Sequence, residues 1–113
     1  MLKSQYRIKN NIEIRKVTKL GKRAGSAFFS LKTISTSIKN PRFAIITDLK
    51  VSKKAVERNR LRRQISEIIR ISIANFYPGH DVVIWASQKA VGKDYQDIEK
   101  DLMWLFHKAE LVR

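Results

Sequence analysis

The sequence has no cysteine, which excludes a disulfide framework, a thiolate metal site and a thiol nucleophile. No apolar run approaches the roughly 18 residues that a membrane helix needs. The opening MLKSQYRIKNN lacks the apolar core of a signal peptide, so a cytoplasmic location is expected. Only two prolines and four glycines occur in 113 residues, with no repeat and no low-complexity tract, so the chain reads as one domain over residues 1–113. Acids are scarce where cations are dense. Residues 1–63 carry 18 Lys or Arg against Glu13, Asp48 and Glu57, whereas residues 64–113 carry six against seven. A surface with both signs interspersed describes the second part and not the first. The net charge of +14 therefore points to a polyanion, with nucleic acid favoured as partner. A membrane surface is not expected, because its helix would need Trp or Phe beside the lysines.

Catalytic groups are equally sparse. His80 and His107 are not at metal-ligand spacing, and each reads as a surface or packing histidine. The three acids of the basic part show no clustering, whereas two-metal phosphodiester chemistry needs several carboxylates together. Neither a GxxxxGK[ST] loop nor a GxSxG elbow occurs. No catalytic residue and no metal ligand is assigned in this chain.

What is present is concentrated in residues 52–69, SKKAVERNRLRRQISEII. Leu61, Ile65, Ile68 and Ile69 fall on one face of a helix of about 52–74. The residues from Lys50 to Arg63 include seven cations and one acid, Glu57. Like charges at helical spacing destabilise a free helix by a few tenths of a kcal/mol per pair, and phosphates relieve that repulsion. Lys50, Lys53, Lys54, Arg58, Asn59, Arg60, Arg62 and Arg63 are the candidate phosphate-binding residues.

Around this helix the pattern predicts a first helix over 10–20, capped by Asn10 or Asn11 and closed by Gly21. A basic turn follows at 21–26, with a short extra strand near 20–22. Strands are predicted at 27–34, 42–49 and 81–87, a helical turn near 88–93 and a last helix over 92–111. The last helix presents Ile98, Leu102, Leu105 and Phe106 as its buried stripe. Antiparallel pairing of the first two strands is the economical expectation. The architecture is then α+β: a two-layer sandwich with one mixed sheet, packed helices and a βαβ crossover over 42–87. The crossover rule favours the right hand. Phe43, Phe76, Tyr77, Trp85, Trp104 and Phe106 read as core. Strand alternation sends Phe28 and Phe29 to opposite faces, so one of them is a candidate for stacking on a base.

From Val51 to Arg63 the chain resembles the protein subunit of bacterial ribonuclease P, whose signature is similar to AV-x-RNR-L-RR here. The resemblance extends through IKNNIEIRKVTKLG, RFAIIT, DVVIWAS and DIEKDLMWLFHKA to essentially the whole chain. It implies a left-handed crossover around the RNR helix, against the general rule. It implies binding to a catalytic RNA through the RNR region, and a groove between the first helix and the sheet for the single-stranded 5′ leader of precursor tRNA. Ile14, Thr18, Phe28, Phe29 and Lys32 are the candidate groove residues. Mg²⁺ would be held by the RNA and substrate, the RNA would carry out the hydrolysis, and the protein would act as a monomeric accessory subunit in a 1:1 complex. The sequence departs from the family at Ile14 and Thr18, where aromatics are frequent. It departs again at Asp48-Leu49-Lys50, where Ser-Lys-Lys is frequent, and at Ser66, where an Arg is common. A small basic ribosomal or rRNA-binding protein is the competing reading, and a stand-alone nuclease the third.

Overall fold

A computed structural model describes residues 2–113. Helix α1 (Asn11–Leu20) begins where the Asn10 side chain accepts the Glu13 N–H at 2.8 Å. It ends at Gly21, whose φ of −72° is ordinary. Glycine is needed there for space, since a Cβ would lie 2.4 Å from the Val17 carbonyl oxygen. The chain then forms β1 (Lys22–Gly25) and β2 (Phe29–Ser35), so most of the expected basic turn is an edge strand. β3 (Arg42–Ile46), α2 (Ala55–Ser72), β4 (His80–Ala86) and α3 (Tyr95–Lys108) follow. A single turn of 3₁₀ helix at Gln88–Ala90 fills the place of the expected helical turn.

The sheet order is β1-β2-β4-β3. The expected β2–β3 pairing is therefore wrong: β4 lies between them, antiparallel to β2 and parallel to β3. A local hairpin is the economical expectation, but β4 is apolar on both faces (Val82, Val83 and Ile84 are fully buried) and a strand of that kind belongs in the centre.

The hand of the β3-α2-β4 crossover follows from one residue. Phe43 turns its ring inward against Phe76, on the side packed by α2, while its carbonyl points outward to the Ile8 N–H at 3.0 Å. For L-residues, that combination places β4 to the left of β3 when the sheet is viewed from α2 with the strands running upward. The crossover is left-handed, as the resemblance implied and against the general rule.

Alternation along the strands gives two unlike faces. Phe29 and Leu31 of β2, Phe43 and Ile45 of β3, and Val82 and Ile84 of β4 meet α2 and α3 in the main core. From α2 this core takes Leu61, Ile65, Ile68 and Ile69, and from α3 Ile98, Leu102, Leu105 and Phe106, the two stripes read from the periodicity. The rings of Phe43, Phe76 and Phe106 are packed edge to face, with centroids 4.9 and 5.0 Å apart along the chain of three. On the opposite face α1 packs Val17 and Ile14 against Val83, Ile34 and Ile8. Trp85 is half-buried on this face, and Tyr77 and Trp104 are exposed, so these three are not core residues of the kind expected.

Candidate nucleic-acid interface

The approach to α2 is shaped by short polar contacts. Asp48 closes a turn by accepting from the Lys50 N–H at 3.0 Å, and Val51 plugs the core beneath it. The Ser52 hydroxyl accepts the Lys54 N–H and donates to Glu57 at 2.6 Å. Glu57 is thus a brace for the start of the helix. Arg58 is half-buried and donates to the Ser52 carbonyl at 2.8 Å, fixing the same loop. Arg62 donates to the buried Thr47 hydroxyl at 2.7 Å and so ties α2 to the end of β3. Arg58 and Arg62 therefore combine a structural role with their charge. Lys50, Lys53, Lys54, Asn59, Arg60 and Arg63 are exposed. Among the described residues none of the seven cations from Lys50 to Arg63 takes part in an ion pair. The surface is a dense array of unneutralised guanidinium and ammonium groups on a helix whose other side is locked in the core.

Across the sheet, α1 is tied down at both ends by polar contacts. At its start, Glu13 pairs with Arg42 at 2.8 Å, and Arg42 forks onto the buried Asp81 carboxylate at 2.9 and 2.7 Å. The Asp81 hydrogen bonds hold the Arg42 guanidinium pKa above its ordinary value. At its end, Lys32 donates to the Thr18 carbonyl at 2.7 Å, a cation placed on the negative end of the helix dipole. The Thr18 hydroxyl is turned back to the Ile14 carbonyl at 2.9 Å.

These ties fix which rows of the sheet α1 covers. The row Ile34–Asp81–Arg42 lies at its start and the row Lys32–Val83–Ala44 under its body. The next row on the same face, Ser30–Trp85–Ile46, is half-buried and lies beyond these ties. A strip of half-buried sheet surface is therefore left beside α1. Ile14, Thr18 and Lys32, all half-buried, lie on α1 and in the row beneath it.

Phe28 and Phe29 do not reach it. Phe29 is 3% exposed within the main core on the other face. Phe28 precedes β2, where strand alternation no longer applies. Its turn is pinned by Asp101, which accepts from the Ser26 hydroxyl at 2.6 Å and from the Ala27 and Phe28 N–H groups. The Phe28 ring lies on the α3 side, under the Lys93 ammonium. Both assignments to the groove are corrected.

Sequence reading also passed over a second basic surface. Arg15, Lys16 and Lys19 share the outward arc of α1, and Lys22 and Arg23 continue onto β1; all five are exposed. The signal was there, because positions 15, 16 and 19 lie opposite Ile14 and Val17 on a 3.6-residue repeat. Among the described residues, no three His, Asp or Glu side chains gather where a cation would sit, so no protein ligand set for Mg²⁺ is found among them.

The sequence matches the ribonuclease P family over residues 2–110. It is 38% identical to the ribonuclease P protein component of Clostridium acetobutylicum, with 96% of this chain and 92% of that one aligned. It is 34% identical to that of a Cyanothece strain, over 99% and 98% of the two chains. The fold superposes on the RNase P protein of Staphylococcus aureus with a TM-score of 0.88 at 25% identity, covering 96% of this chain and 98% of that one. A left-handed β3-α2-β4 unit and a basic RNR helix fixed to the core thus occur in a chain that belongs to the ribonuclease P protein family, as a protein component of that tRNA-processing endoribonuclease.

Proposed function

We propose that this protein is the accessory, RNA-binding subunit of a ribonucleoprotein that removes the 5′ leader of precursor tRNA, acting in the cytoplasm as a monomer bound 1:1 to its catalytic RNA. The observation that carries this reading is the array of seven cations from Lys50 to Arg63, none in an ion pair among the described residues, on a helix fixed to the core. Lys50, Lys53, Lys54, Arg60 and Arg63 contact phosphates of the catalytic RNA. Asn59 adds a donor and an acceptor between guanidinium forks, and Arg58 and Arg62 contribute charge from anchored positions. Ile14, Thr18 and Lys32 line the path of the single-stranded leader. Mg²⁺ would be held by phosphates of the RNA and substrate, where it would supply charge neutralisation and activate a water. The role of this chain is to bind and orient, since Glu57 is engaged with Ser52 and stands alone among the cations of the motif.

The test is reconstitution. Purified protein free of RNA should show no Mg²⁺-dependent cleavage of precursor tRNA. Adding the cognate catalytic RNA should restore cleavage at the mature 5′ end, at lower Mg²⁺ than the RNA needs alone. Glu57→Gln should leave the reconstituted rate within about tenfold, or about 1.4 kcal/mol. Robust cleavage by RNA-free protein that is lost in Glu57→Gln or Asp48→Asn would overturn the reading in favour of a protein nuclease.

A further inference from the structure

We infer that Trp85 is the base-stacking platform of the groove, taking an unpaired base of the bound RNA leader on its indole face. The inference rests on the leader path proposed above and adds a residue to it.

Three observations carry it. The first is placement. Trp85 is on β4, the central strand, between Ser30 of β2 and Ile46 of β3, and its side chain is on the α1 face with Val83. It belongs to the row next to the last one that α1 is tied to, so its ring lies on the sheet surface beside α1. The second is the state of the ring. Trp85 is half-buried, rooted among Ile46, Ala44 and Val83, and part of its surface meets solvent. Its indole N–H is not among the buried unpartnered groups of the described residues. The third is the lack of any alternative. Ile14 and Thr18 present no π surface on the α1 wall, and Phe28 and Phe29 are on the far side of the sheet. Trp85 is the aromatic residue that the described structure places on this floor.

The occupant is defined by charge as well as by shape. Lys32 lies one row from Trp85 on the same face, and Arg23 is opposite Lys32 on β1. A flat apolar ring with cations one row away fits a single-stranded polynucleotide, with a base on the indole and phosphates on the flanking charges. A platform on a central strand is held on both sides by sheet hydrogen bonds, which fix its position. Stacking of this kind tolerates any base, which suits leaders of varied sequence.

The experiment uses the protein assembled with its catalytic RNA. Two probes are compared: precursor tRNA with a leader of several nucleotides, and mature tRNA. Trp85→Ile keeps a β-branched apolar residue on the strand and removes the π face, while Trp85→Phe keeps a smaller one. The expected result is a loss of about fivefold to a hundredfold in the preference for leader-bearing over mature tRNA in Trp85→Ile. Trp85→Phe should retain most of the preference, and affinity for the catalytic RNA should be unchanged in both. A second readout is fluorescence in a Trp104→Phe background, where Trp85 is the remaining tryptophan. The leader-bearing probe should quench it and mature tRNA should not. If wild type prefers the leader-bearing probe but Trp85→Ile keeps that preference and no quenching occurs, the role of Trp85 is overturned and the leader path stands. Equal weakening toward both probes would also overturn it, by showing a structural role. If wild type shows no preference at all, the leader path itself fails, and this inference with it.

Discussion

On the α2/α3 face of the sheet, nineteen buried apolar residues form one continuous cluster among the described residues. The α1 face buries three, Ile8, Val17 and Val83, and holds its helix with the Glu13–Arg42–Asp81 network and the Lys32 hydrogen bond to Thr18. The contrast separates what makes the fold stable from what makes it useful. Apolar area removed from water contributes roughly 25 cal/mol per Å² without regard to direction, so the closed face supplies stability. A buried ion network adds little net stability over an apolar replacement, yet it fixes geometry through directed bonds. That suits a helix that must keep one fixed position on the sheet.

The largest test of this contrast is on the closed face. Phe106→Ala should cost about 3–5 kcal/mol, read from the urea midpoint, because the ring is fully buried against Phe76 and nothing can refill its space. A cost under about 1 kcal/mol would show that the two faces do not differ as described. Next is Asp81→Asn, which leaves the half-buried Arg42 with Glu13 as its remaining ionic partner. It should cost about 1.5–3 kcal/mol, the range for hydrogen bonds to a charged group. Amide exchange should quicken in α1 well before it does in α3. Uniform quickening across the molecule would blur the distinction. On the RNA side, Arg60→Ala and Arg63→Ala should each weaken binding to the catalytic RNA by about 1–3 kcal/mol with little change in stability. The slope of log affinity against log salt should become shallower by about one for each phosphate no longer neutralised. Arg62→Ala should also lower stability, by about 1 kcal/mol, because the Thr47 hydroxyl loses its donor. The smallest effect is on the closed face again. Glu110 follows α3 with a φ of 58°, while the Leu111 N–H reaches back to the Phe106 carbonyl at 3.0 Å, a position that favours glycine. Glu110→Gly should raise stability by about 0.5–1 kcal/mol.

Much of the closed face is legible in the sequence, because helical periodicity is a local signal. The stripes at 61, 65, 68 and 69 and at 98, 102, 105 and 106 follow from spacing alone. The groove is less legible. Its border residues come from family resemblance, and its floor residue, Trp85, sits in the apolar run DVVIWAS, where burial is the natural reading. Strand order is misjudged because adjacency in a sheet is decided by partners far along the chain. Phe28 is misplaced for a similar reason, as its turn is held by Asp101, 73 residues away. Arg42 and Asp81 are 39 residues apart, and nothing in their spacing marks them as a pair.

The position of β4 also sets the order in which the molecule can be assembled. During synthesis β1, β2, β3 and α2 all leave the ribosome before the strand that joins them. Until residues 80–86 arrive, β2 lacks its inner neighbour, β3 has no partner strand in the sheet, and α2 has no complete floor to dock on. The β3–β4 and β2–β4 pairings are non-local, and pairings of that kind carry the loop-closure cost that slows folding. Meanwhile the emerging chain exposes 18 cations with three acids. A nascent segment of that charge adheres to any nearby polyanion, so late closure of the sheet is also the moment at which general attraction to RNA gives way to a surface of defined shape.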